Sequence, residues 1–271
     1  MTTDEQSVSQ SPFRKQPPRI LAVANQKGGV GKTTTAVNLA ASLGEYGWRT
    51  LVVDLDPQAN ATTALGVEPE KVENSTYDVL ISGVSLQECA VETEFKNLSL
   101  APATVDLAGA EVELVPALSR EMRLRQALDA IEEPYDYVLV DCPPSLGLLT
   151  INGLTGAREI ILPIQCEYFA LEGVGQLVQN VELVKAHLNP QLEISTVVLT
   201  MYDARTKLSS MVAADVRNYF GDRVCSTVVP RSVRLSEAPS YGQPISIFDP
   251  LSRGALAYRE LAEEVSGGNA P

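Results

Sequence analysis

Apolar and polar positions follow a repeating order from residue 19 to residue 265. Arg19–Asn25 is an apolar run, and Lys32–Glu45 follows it with apolar residues at helical spacing. Further apolar runs occupy Thr50–Asp54, Tyr137–Asp141, Glu159–Ile164, Ile194–Thr200 and Val224–Val229. Helical spacing returns at Ser119–Ile131, Leu171–His187, Lys207–Phe220 and Gly254–Val265. Continuous apolar runs, rather than alternating ones, read as strands buried on both faces; interleaved with helices they predict a mostly parallel sheet. The expected fold class is α/β, a single-domain doubly wound sheet with helices on both faces. Residues 1–18 are rich in Ser, Gln and Pro, lack periodicity and read as a disordered tail; 266–271 read as a short C-terminal tail. The Phe13-Arg14-Lys15 cluster in the first tail reads as solvated.

Composition narrows the class. At 271 residues with 45% hydrophobic and 20% charged side chains, the chain can bury a substantial core, which excludes disordered and disulfide-stapled classes. Cys89, Cys142, Cys166 and Cys225 are widely spaced without a C-x-x-C pair, and read as reduced thiols in a cytosolic protein. His187 is the only histidine, so a histidine triad or zinc site is not expected. No apolar run suggests a signal peptide or a membrane span.

The formal net charge of −13 argues by itself against a nucleic-acid partner. Its distribution changes that picture. Residues 68–136 carry 5 basic and 15 acidic side chains, net −10, whereas residues 200–271 carry 8 of each. The sum excludes a constitutive, strongly basic DNA binder, but leaves room for a weak one switched on by pairing of two chains.

The first apolar run leads directly into Gln26-Lys27-Gly28-Gly29-Val30-Gly31-Lys32-Thr33-Thr34. Glycines here let successive backbone N–H groups point at phosphate oxygens, and the helix that follows adds its positive end. Lys32 supplies a point charge for the β- and γ-phosphates, and the Thr33 hydroxyl suits Mg²⁺. The loop departs from G-x-x-x-x-G-K-T at its first position, Gln26, and carries a second lysine, Lys27. A cation there is placed to reach a nucleotide in a facing subunit, as arginine fingers do in trans.

This loop resembles the deviant Walker A motif of the ParA/MinD ATPases. Val53-Asp54-Leu55-Asp56-Pro57-Gln58-Ala59-Asn60 resembles that family's second acidic motif, and Val140-Asp141-Cys142-Pro143-Pro144-Ser145 its Walker B. Leu199–Thr206 and Val229–Ser240 match further motifs, and the resemblance, closest to the short chromosomal ParA (Soj) proteins, covers about 19–265. It implies a P-loop NTPase with ATP and Mg²⁺ as cofactors. Gly28, Gly29, Val30, Gly31, Lys32, Thr33 and Thr34 would bind phosphates, with Thr33, Asp54 and Asp141 toward the metal. Asp56 would position the attacking water, with Lys27 and Lys32 completing the catalytic set. Glu113 would reach a partner's nucleotide, and Pro230, Arg231 and Ser232 would line the adenine side. An ATP-dependent homodimer is implied.

Three kinds of target compete. Binding to a membrane, as in MinD, needs a basic amphipathic C-terminal helix, but the chain ends in the acidic Arg259–Val265 and a polar tail, so no membrane insertion is expected. A small-molecule ligase would need a dedicated substrate site, and none is legible. An electron-transfer iron protein would need paired cysteines at the dimer axis, and Cys142 stands alone as a filler of its loop. Non-specific double-stranded DNA is favoured: in short ParA proteins, arginines matching Arg205 and Arg234 contact DNA, and Arg217 and Arg253 are further candidates. The chain lacks room before residue 19 for an operator-reading helix-turn-helix. The resemblance also implies a ParB-type centromere-binding protein that stimulates hydrolysis through a basic segment, for which acidic residues 68–136 are an electrostatic complement. The expected location is cytoplasmic, on the nucleoid; cargo and turnover rate are not legible.

Overall fold

A computed structural model describes residues 17–168, 170 and 172–268. Its strands are β1 (Arg19–Val23), β2 (Thr50–Asp54), β3 (Val91–Glu92), β4 (Leu98–Ala101), β5 (Tyr137–Asp141), β6 (Glu159–Gln165), β7 (Glu193–Tyr202) and β8 (Val224–Pro230). The helices are α1 (Lys32–Glu45), α2 (Asn60–Ala64), α3 (Thr76–Ile81), α4 (Leu86–Cys89), α5 (Leu107–Glu113), α6 (Arg123–Asp129), α7 (Leu148–Gly156), α8 (Glu172–His187), α9 (Lys207–Phe220), α10 (Val233–Glu237), α11 (Ile245–Phe248) and α12 (Arg253–Ser266). The eight strands form one sheet in the order β3-β4-β2-β5-β1-β6-β7-β8. Every described pairing is parallel except β3 with β4, an antiparallel edge. The α/β, mostly parallel, doubly wound expectation holds.

Successive residues of each central strand feed opposite faces, as the strand period of two requires. Ile20 and Ala22 join one apolar cluster with Leu107 of α5, Leu128 of α6, Leu154 of α7 and Leu177 of α8. Leu21 and Val23 join the other, with Leu39 and Leu43 of α1, and Tyr258 and Leu261 of α12. Every residue of β2 and β5 is buried, which is why their sequences show no polar alternation. An ion pair and a hydrogen bond fasten α1 to α12 at the rim: Arg259 Nε donates to Glu45 Oε2 at 2.9 Å. The Tyr46 hydroxyl donates to Glu263 Oε1 at 2.9 Å.

Register brings the chemistry to one edge. Val23 and Asp54 both pair with Asp141, so β1, β2 and β5 end together at the carboxyl side of the sheet. That is where open α/β sheets carry ligands.

The bounds expected for α1, β2, β5 and α9 coincide with those found. The expected helix Ser119–Ile131 contracts to α6, because Ser119 takes a left-handed φ of 52° and Met122 ends the preceding turn. β1 stops at Val23 rather than Asn25, whose side chain turns to bond the next loop. Of the expected tails, 1–16 and 269–271 lie outside the described residues, and Ser266 belongs to α12. The four cysteines are free and buried. No helix among the described residues is long and apolar enough to cross a membrane.

Gly44 sits in the last turn of α1, its carbonyl accepting from Asn97 Nδ2 at 3.0 Å. A Cβ there would run into the Lys96 carbonyl oxygen, which is backbone and cannot swing aside. Gly44→Ala is therefore expected to destabilise by about 1–3 kcal/mol despite the better helix propensity of alanine. Urea unfolding measures this, and an unchanged midpoint contradicts the close approach.

Candidate nucleotide site

The loop between β1 and α1 is held in shape by two side chains. Asn25 is buried; its Nδ2 donates to the Pro163 carbonyl at 2.8 Å and its Oδ1 accepts from Lys27 N–H at 3.0 Å. Thr200, at the end of β7, donates from its hydroxyl to the Val30 carbonyl at 2.8 Å. Gly29 and Gly31 take φ of 73° and 89°, so side chains there would strain the backbone. Asn25 and Thr200 escaped the sequence reading as loop anchors; a lone polar residue ending each of two apolar runs is the signal that could have found them.

Lys32 opens α1 and is 7% exposed. Its Nζ donates to the Lys27 carbonyl at 3.3 Å. Burial lowers its pKa, opposed by the charges of Asp141, Cys142 and Asp56. Lys27 is half-buried, and no hydrogen bond or ion pair of its ammonium is found among the described residues.

Asp141 ends β5 and is fully buried, and neither of its oxygens accepts a hydrogen bond. Burial drives its pKa well above the carboxylate range, reinforced by Asp54 and Asp56; the nearby Thr33 hydroxyl and Lys32 pull the other way. Two orphaned buried acceptors are rare and point to an absent positive partner. Among the described residues, no three His, Cys, Asp or Glu side chains gather to hold a metal by themselves. The donor set suits Mg²⁺, which binds through one or two carboxylates, waters and substrate phosphates rather than an all-protein cage. Thr33 and Asp141 fit that group.

Asp54 is placed beside Asp141 but differs from it in kind. Its Oδ1 accepts from Asp56 N–H at 3.0 Å, and its Oδ2 accepts from the Thr62 N–H at 2.9 Å and the Thr62 hydroxyl at 2.7 Å. Burial lifts its pKa to about 6, moderated by these donors. With both oxygens taken by protein donors, it shapes the site rather than offering an open ligand oxygen. Asp56 lies past the strand end, 7% exposed, with Oδ1 accepting from Gln58 N–H at 2.9 Å.

A cavity of about 660 Å³ runs from Gly31, Thr33 and Thr34 to Pro230, Arg231 and Ser232. The residues expected at the phosphate and adenine ends thus line one space. A cavity of about 740 Å³ at the opposite ends of the strands, lined by Ile20, Arg49, Leu128 and Tyr135, is remote from this loop.

Other expected residues are not gathered here. Glu113 is exposed at the end of α5, receiving the Tyr77 hydroxyl at 3.0 Å from Oε2. Glu111, two residues earlier, instead packs on the loop after Asp141, where a Cβ on Gly147 would overlap its carboxylate. Arg205 is 88% exposed and paired with Asp203 at 2.7 Å. Arg234 is more committed: it bonds Asp249 and Glu237, each at 2.9 Å, and lies over the Phe248 ring at 4.8 Å. Arg217 donates to the Ser226 carbonyl at 3.3 Å, and Arg253 is exposed at the start of α12.

A glycine-rich loop entering a helix, a buried lysine at its mouth and an unpaired aspartate ending the adjacent strand define a P-loop ATPase. A family model described as an AAA domain matches residues 18–194. The chain is 55% identical over 248 residues to the sporulation initiation inhibitor protein Soj of Bacillus subtilis, covering 92% of this chain and 98% of that one. It is 52% identical to the chromosome partitioning protein ParA of Caulobacter vibrioides, covering 92% and 94%. Among solved structures, it is similar to a cobyrinic acid a,c-diamide synthase from Mycobacterium smegmatis with bound ADP and magnesium. The identity is 40% and the TM-score 0.81, over 93% of this chain and 97% of that one. The chain belongs to the ParA/Soj family of ATPases.

Replacing Lys32 by Met removes a buried cation while keeping most of its volume. Nucleotide binding, followed by calorimetry, is expected to disappear while the thermal midpoint without nucleotide stays level or rises. A variant that still binds, or one that loses its fold, contradicts the role of Lys32 as a phosphate-binding charge held at a cost in desolvation.

Proposed function

We propose that this protein is a DNA-partition ATPase. It closes as an ATP-bound homodimer, binds duplex DNA without sequence preference and is reset when a ParB-type centromere-binding protein stimulates hydrolysis. Supporting the reading most directly is the 55% identity with Soj over 248 residues, together with motifs that converge on one edge of the sheet. The same reading places the protein in the cytoplasm on the nucleoid, with 19–265 as its ATPase domain.

The backbone N–H groups of Gly28–Thr34 bind the phosphates, and Lys32 neutralises the β/γ bridge. Thr33 and Asp141 would hold Mg²⁺ brought in with ATP, with Asp54 supporting their arrangement, and the ion would supply charge stabilisation for the transferring phosphoryl group. Asp56 orients the attacking water, while Lys27 crosses to the partner's nucleotide as developing charge appears there. Pro230, Arg231 and Ser232 receive the adenine end. Glu113 would reach the facing subunit only after leaving Tyr77.

DNA is bound by the arginine-rich C-terminal third. The Arg205–Asp203 pair is exposed and worth little in water, so phosphate can replace Asp203 readily. Arg234 would have to leave two carboxylates and a ring, and contributes less. The acidic segment 68–136 offers the surface for the basic segment of the ParB-type partner. A second reading, small-molecule amidation, draws on the 40% identical synthase structure. A positioning ATPase resembling MinD, acting on a membrane or protein cluster, is the remaining alternative.

Two experiments test this. Asp56→Ala is expected to bind ATP normally and lose turnover, accumulating as dimer in sedimentation; unchanged turnover refutes the role given to Asp56. Plain duplex DNA should be retained with ATP and not with ADP, with affinity falling linearly in log–log form as salt rises. Arg205→Ala should weaken retention several-fold, and Arg234→Ala should mainly lower the thermal midpoint. No retention at low salt with ATP would defeat the partition reading in favour of the alternatives.

A further inference from the structure

Thr62 is fully buried in α2, eight residues beyond Asp54, and does not line the nucleotide cavity, although its neighbour Thr63 does. Its backbone N–H and its hydroxyl both donate to Asp54 Oδ2, at 2.9 and 2.7 Å. The hydroxyl oxygen in turn accepts from Ala103 N–H at 2.9 Å. Asp54 Oδ1 accepts from Asp56 N–H. One hydroxyl therefore joins the end of β2, the helix beneath the cavity and the connection from β4 to α5.

We propose that Thr62 is a positioning residue for hydrolysis. It fixes the Asp54 carboxylate, which fixes the backbone of Asp56, and it ties both to the segment that leads into α5. The inference rests on Asp56 being the water-orienting group.

The other restraints on the loop carrying Asp56 are local or act on its backbone, and Gln58 N–H donates to the Asp56 carboxylate at 2.9 Å. Leu55 N–H donates to the Asp141 carbonyl at 3.0 Å, and Ala59 N–H donates to the Asp56 carbonyl at 2.9 Å. Ala59 then takes a left-handed φ of 50°, unfavourable for alanine, so the loop is held against its local preference. Thr76 adds a brace from the same side: its hydroxyl donates to the Asp54 carbonyl and its N–H to the Pro102 carbonyl, each at 2.8 Å. Both threonines thus link the acidic loop to residues 102–103. A buried carboxylate keeps its place only while its donors hold it. Orienting water for attack tolerates displacements of well under 1 Å. Removing the Thr62 hydroxyl leaves Asp54 Oδ2 with one donor and Ala103 N–H with no acceptor. The energetic cost falls on the geometry of Asp56 and not on the phosphate loop.

Thr62→Val keeps the volume and removes the hydroxyl; Thr62→Ser keeps the hydroxyl. With Mg-ATP, Thr62→Val is expected to lower kcat by about tenfold or more while the ATP dissociation constant stays within about twofold. Thr62→Ser is expected to recover most of the rate. Thermal unfolding of both checks that they fold. A wild-type kcat in Thr62→Val overturns the proposal, as does a serine variant as slow as the valine one. Loss of binding in step with rate overturns it too. Asp56→Ala measured alongside separates the two ideas. Full turnover there removes the underlying reading, whereas an inactive Asp56→Ala beside a fully active Thr62→Val removes only the role of Thr62.

Discussion

A carboxylate that is buried and receives no hydrogen bond is the constraint around which this molecule is arranged. Asp141 ends the central strand β5 with both oxygens orphaned. Its compensation comes from the Thr33 hydroxyl and from Lys32, itself nearly buried. Burial raises one pKa and lowers the other, so the protein alone favours the charged forms of neither. Such a pair is costly to keep unless a ligand completes it. Phosphates suit the lysine and a hydrated divalent cation suits the aspartate. The eight-stranded parallel sheet supplies the rigid floor, with β1 and β2 in register against Asp141, so that loop and carboxylates meet at one edge.

The same edge divides the acidic residues by task. Asp141 is left open, Asp54 is saturated by donors, and Asp56 stands at the tip of a braced loop. Three aspartates of one chemical type thereby hold different electrostatic positions, set by their hydrogen-bond partners. The net charge of −13 describes this surface poorly. Acidity is concentrated in 68–136, which builds α3 to α6, while the C-terminal third carries exposed arginines whose commitments differ greatly. Arg205 is largely in solvent and held by one carboxylate, whereas Arg234 is fastened to two carboxylates and an aromatic ring.

Much of this was legible in the sequence, and the reasons differ by element. α1, β2, β5 and α9 were readable to the residue because burial on both faces or a clean helical stripe dominates them. β4 (Leu-Ser-Leu-Ala) was missed: four residues at one side of the sheet give too short a run. α7 was missed because two glycines and two threonines in nine residues lower helix propensity, which burial of most of the helix against α6, α8 and β1 overrides. At the site, the phosphate loop stood out by its own glycines and lysines, and the three aspartates by ending apolar runs and resembling the family's acidic motifs. Thr62, Asn25 and Thr200 did not, since their partners lie 41, 138 and 170 positions away. Glu113, expected to reach a partner's nucleotide, is exposed and accepts from the Tyr77 hydroxyl, whereas Glu111 packs on the loop after Asp141.

The dependence of the site on a completed charge arrangement is tested most directly by thermal unfolding of the wild-type protein and Asp141→Asn. Each is measured with Mg²⁺ alone, ATP alone and both together. A ligand that binds only the folded state raises the midpoint by an amount that grows with the logarithm of its concentration over its Kd. ATP with Mg²⁺ is expected to stabilise the wild type by more than the sum of the separate effects. Asp141→Asn is expected to lose this surplus while keeping the effect of ATP alone. An equal surplus in both proteins, or stabilisation of the wild type by Mg²⁺ alone that matches the full effect, contradicts the role given to Asp141.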